Sequence, residues 1–149
     1  MSHLYVPVLA LHVIVAVLGI GSIASVALVA GTGRRAGRGA TDVSASLQPL
    51  LRYSAISLAV MLVTGALLDF FAGGAFHEQW WFRGSALLLV ATGALHGQAR
   101  RAMRAGLANA GKGPNAGNGD VMLRRVERIA YVMCALVAVI AVLMEVKPF

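Results

Sequence analysis

The sequence predicts an all-α fold, a four-helix transmembrane bundle that runs up-down with both termini outside. Three observations predict it. Hydrophobic residues make up 58% of the 149 and charged residues only 13%, against about 25% charged in ordinary soluble proteins. The apolar residues come in four long unbroken blocks. The charges, which sum to +7, gather between those blocks. A soluble globule could not cover its surface with so few charges, and a nucleic-acid binder would spread its basic residues over soluble elements. The expected partner is therefore the lipid bilayer, with no nucleic acid.

A helix rises about 1.5 Å per residue, so roughly 20 apolar residues cross a 30 Å hydrocarbon core. The first block, near residues 6–30, follows "MSHLY" with no Lys or Arg before it. A cleaved leader wants a basic start and a shorter core, so this block reads as a permanent span. The second span falls near residues 53–71. The third, near 80–98, is the least clean because Arg83 lies close to its start. The fourth falls near 129–146. A closed β-barrel would show short alternating segments instead. Residues 1–149 thus read as a single integral membrane domain.

The connections set the direction. Arg34, Arg35, Arg38 and Arg52 lie between the first two spans. Arg100, Arg101, Arg104, Lys112, Arg124, Arg125 and Arg128 lie between the last two. Only Arg83 and Lys147 fall on the other side, so both large loops read as cytoplasmic. Trp80 and Trp81 occupy the place of an interfacial anchor at the opposite face. The segment "GLANAGKGPNAGNGD" (106–120) reads as a flexible cytoplasmic loop. It has no phosphate-loop pattern. The single cysteine, Cys134, excludes an internal disulfide.

In lipid the inward face of a helix is its small and polar stripe. Spacings of three and four residues give His12, Ala16 and Gly19 on the first helix and Ser57, Met61, Thr64, Gly65 and Leu68 on the second. They give Ser85, Leu89, Thr92, Gly93, His96 and Arg100 on the third, and Tyr131, Cys134, Ala138, Ala141 and Glu145 on the fourth. Glycine and alanine faces also invite close contact between copies, hence a homo-oligomer.

His12 stands in the run "LALHVIVAVLGIG", about 10 Å below the outer end of its span. Ionisable groups at such depth face the bundle interior. Ala16 and Gly19 beneath it leave room for a neighbouring backbone or for the flat ring of a tetrapyrrole. On spacing alone, a strut bonded to a neighbouring helix and a metal ligand are equally good readings of His12. His96 lies about 10 Å deeper, which is awkward for gripping one haem from both sides; it reads as a snorkelling interfacial group. His3 and His77 read as solvated. Asp69 and Arg83 read as an ion pair across the second hairpin, with Arg83 alternatively meeting porphyrin propionates. Met61, Met133 and Met144 read as packing residues.

Four short spans, "ALH" in the first helix, "TGALL" late in the second, a Trp-led third helix ending "LHG" and a closing "VKPF" resemble the HemJ-type protoporphyrinogen oxidase family. CopD-type copper-resistance membrane proteins are similar. The likeness runs loosely over most of the chain. It implies a bacterial inner-membrane location and haem b on a first-helix histidine, which matches His12. The HemJ family also carries a lysine four residues after the third-helix Trp. Counting from Trp81 gives Ser85, a departure that weighs against porphyrinogen oxidation more than against haem binding.

The resemblance implies a small haem b membrane protein with His12 as the metal ligand; Arg83 and His96 are further cofactor-binding candidates by position, and depth alone points to quinol or a periplasmic protein as the electron partner. A second expectation, of a different class, is a non-catalytic accessory subunit of a larger membrane complex. Copper handling is a third, disfavoured by the missing His/Met clusters.

Overall fold

The computed structural model describes residues 3–110 and 117–146. They form four helices: α1 (Tyr5–Arg35), α2 (Ala40–Phe71), α3 (Trp80–Ala110) and α4 (Gly117–Val146). α1 packs on α2 and α4, and α3 packs on α4 and α2. Among the described residues α1 and α3 do not meet, and α2 barely touches α4. The cross-section is a square in which chain neighbours run antiparallel, as short connections demand.

Stretches of α1, α2 and α4 (Gly119–Val146) are long and apolar enough to cross a membrane. They make the chain an integral membrane protein. α3 does not reach the same hydropathy, although the sequence marked it as the third span. Arg83 opens it, and His96, Gln98, Arg100 and Arg101 close its apolar stretch early. Its outward face nevertheless carries Leu87 and Val90, which are largely exposed. Val6, Val13, Val17 and Leu18 on α1 and Val63 and Phe70 on α2 are exposed in the same way. Acyl chains solvate such residues as well as a core would, so exposure there carries little penalty.

The helices run well past the apolar blocks. α2 starts thirteen residues before Tyr53, and α4 starts twelve before Ile129. Residues 106–110 and 117–120, expected in a flexible loop, are helical; residues 111–116 lie outside the described ones. Gly106 is small because it abuts Met122, where an added Cβ would collide with the thioether chain. Composition suggested a linker; close approach of α3 to α4 is the physical reason for the glycine.

The tightest packing sits at the end where α1 and α3 finish. Ile23, Val26, Leu47, Leu51, Leu123 and Met133 are almost fully buried there. They form one cluster with Ala27, Ala30 and Ala99. The same end carries the arginine-flanked connection 36–39. Arg34 and Arg35 close α1, where cations meet the negative end of the helix dipole, and Asp42 opens α2 at the positive end.

α4 turns differently from the expected stripe. Val126, Ala130, Met133, Val137 and Ile140 face inward. Tyr131, Ala138, Ala141 and Glu145 face outward, and Cys134 is half-buried. The small residues that permit close packing are supplied by the facing helices at Ala27, Ala30 and Ala99. α4 therefore fills the space with its larger side chains.

Candidate functional site

α2 presents a ladder of groups to both deep histidines. Near its far end Thr64 donates its hydroxyl proton to the carbonyl of Val60 at 2.8 Å. Its oxygen is then free to accept, and His12 Nδ1 lies 2.7 Å away. The imidazole therefore carries its hydrogen on Nδ1 and leaves Nε2 as a lone pair. Gly65 lies beside the ring, where an added Cβ would rest in ordinary contact, 3.7 Å from His12 Cε1. Gly19, two turns deeper on α1, is taken up by Ser57, whose Cβ would lie 3.0 Å from a Cβ at that site. The small stripe thus admits the α2 backbone. It leaves no gap for a tetrapyrrole at Gly19.

His96 is 4% exposed, so the snorkelling expectation fails. The cause is the Leu51 carbonyl, which accepts a hydrogen bond from His96 Nε2 at 2.7 Å and a second from Ser54 Oγ at 3.2 Å. A carbonyl can only accept, so His96 carries its hydrogen on Nε2. The tautomer is the reverse of that at His12.

The two histidines contact α2 thirteen residues apart, which is about 20 Å along the helix. One haem cannot be gripped by both. The separation is about twice that inferred from the sequence, because His96 bonds back toward the arginine-rich end.

Arg83 sits at the opposite end of the bundle and makes no pair with Asp69 among the described residues. Asp69 Oδ1 accepts the backbone N–H groups of Phe76 at 2.8 Å and His77 at 3.0 Å, and its Oδ2 lies 3.3 Å from His77 Nδ1. Arg83 Nε donates to the carbonyl of His77 at 2.7 Å. Both side chains brace the turn separately, because Gly73 and Gly74, at φ 71° and 77°, let the chain fold back over the end of α2. Trp81 is 7% exposed. It packs edge-on to Phe82 and beside Phe76, which leaves Trp80 as the exposed indole.

Counting up α3 from His96 by the same thirteen residues reaches Arg83, so Ser85 lies near the depth of His12. Ser85 is 1% exposed, and its hydroxyl has no partner among the described residues. Among those residues no group of three or more His, Cys, Asp or Glu side chains is placed to hold a bare metal ion.

Sequence reasoning missed Glu127. It is 8% exposed and accepts from Arg34 Nε at 3.0 Å, with Arg35 Nη1 at 3.6 Å. The available signal was a lone acid in the run "RRVER". A groove of about 260 Å³ between α2 and α3 was also unforeseen.

No family model, no curated protein and no solved structure matches the chain.

Proposed function

We propose that this chain is a small haem b membrane protein in which His12 is the single protein ligand to iron. The reading is carried by one observation: Thr64 fixes the imidazole with Nδ1–H donated and Nε2 free, the arrangement that metal-ligating histidines adopt. Among the described residues α3 stands across the bundle from α1 without touching it. Arg83 spends its Nε on the turn, and its remaining nitrogens supply cationic donors for propionates near that depth. His96 takes no part in this reading. Haem, when bound, supplies one-electron chemistry at iron. The chain contributes a fixed tautomer and a low-dielectric surround. Ser85 in place of a lysine argues for electron transfer or ligand binding over porphyrinogen oxidation. In this reading the arginine-rich end faces the cytoplasm of a bacterial inner membrane.

The His12–Thr64 hydrogen bond and the close approach of Gly19 to Ser57 favour a second reading, in which His12 is a hydrogen-bonding strut in an accessory subunit. An absorption spectrum of the purified protein, before and after haemin titration and dithionite reduction, separates the two. The proposal expects a Soret band with sharp reduced α and β bands, lost in His12→Ala and kept in His96→Ala. A protein that stays colourless after titration establishes the strut.

A further inference from the structure

α2 and α3 make the loosest contact of any neighbouring pair around the square. The seam opens as a groove of about 260 Å³. Its walls are apolar, with Ala59 and Leu62 on α2 and Leu89 and Val90 on α3. Gly93 leaves one side open, since an added Cβ would meet nothing within 4 Å. Ala59, Leu62, Val90 and Gly93 are all exposed on the flank that lipid covers, so the groove is entered from the bilayer.

His96 is the sole polar side chain among the residues that line it. The ring is more than nine-tenths buried. Its Nε2 is spent on the Leu51 carbonyl. Nδ1 is then an acceptor with no partner among the described residues, and it cannot donate. An acyl chain fills such a groove but leaves that lone pair without a proton. A second copy of this chain would have to bring a donor from an apolar helix face. The complement is a bilayer-dissolved molecule with an apolar body and one hydroxyl.

We propose that the α2–α3 groove binds a hydroxyl-bearing lipophilic ring of the quinol class, with the hydroxyl donating to His96 Nδ1 and the ring and tail lying along Ala59, Leu62, Val90 and Gly93. The site stands about 20 Å along α2 from His12 and does not depend on the haem reading.

The test uses the full chain in nanodiscs and two stable probes of the same shape, 4-decylphenol and 4-decylanisole, with decyl-benzoquinol measured anaerobically. The phenol is expected to bind about five- to tenfold more tightly than the methyl ether, the worth of one hydrogen bond. His96→Leu should bring the two to equal affinity. Gly93→Leu, which fills the groove from an exposed position, should abolish saturable binding of all three while leaving the thermal midpoint unchanged. Equal binding of phenol and ether to the wild-type chain would mean an acyl-chain groove and overturn the proposal. So would binding that survives Gly93→Leu, or a monomer–dimer shift in that variant without loss of probe binding.

Discussion

Gly31 lies directly beneath Glu127: a single carbon added to it would reach 2.5 Å from the carboxylate Oε1. That closeness lets α1 bring Arg34 onto the acid and pins the end of α1 to the start of α4. Gly31→Val is expected to push the two helices apart and to lower stability by about 2–3 kcal/mol, the worth of a charge-assisted hydrogen bond. Glu127→Ala should cost a similar amount. Arg35→Ala should cost under about 1 kcal/mol, since Arg35 is mostly exposed and solvent screens it. Thermal unfolding in detergent measures all three, and equal losses for Arg35 and Glu127 variants would contradict this ranking.

Ser85 gives the opposite sign. A buried hydroxyl with no partner has already lost its water. Ser85→Ala should therefore be neutral or stabilising by about 1 kcal/mol. A loss greater than that would show that the oxygen is engaged by bound water or by a ligand.

Thr64→Val keeps the shape of the side chain and removes the acceptor of the His12 proton. About 1 kcal/mol of stability should go with it. Haem affinity should fall tenfold or more if Thr64 fixes the ligating tautomer. A variant that keeps its spectrum and its affinity would leave Thr64 as packing alone.

Asp69→Ala removes the acceptor of two backbone N–H groups in the α2–α3 turn. The loss should be about 1 kcal/mol. The readout is Trp81, whose emission should move to the red as the turn loosens and water reaches the ring. Asp69→Asn keeps an acceptor oxygen and should preserve most of the native emission.

The helical class and the inner faces of α1 and α2 were legible because small and polar residues recur there every three or four positions. α3 was legible as a helix, yet its arginine-rich half weakens its hydropathy. The face of α4 was not legible. A rule that seeks small residues fails on the helix that supplies the bulk, and Met133 and Val137 do that here. Of the candidate site, the inward face of His12 was legible, while its seat beside α2 and Thr64 as its partner needed the register between helices. His96 was misjudged because a backbone carbonyl is invisible in a sequence. Glu127 lay among arginines that made it look solvated.

The uneven placement of the core gives the molecule the mechanics of forceps. Ile23, Leu47, Met103 and Leu123 clamp the handle end. Toward Tyr5, Phe71 and Val146 fewer side chains are buried, chiefly Leu68, Trp81 and Ile140. Amide protons should exchange slowest at the handle and faster toward the tips.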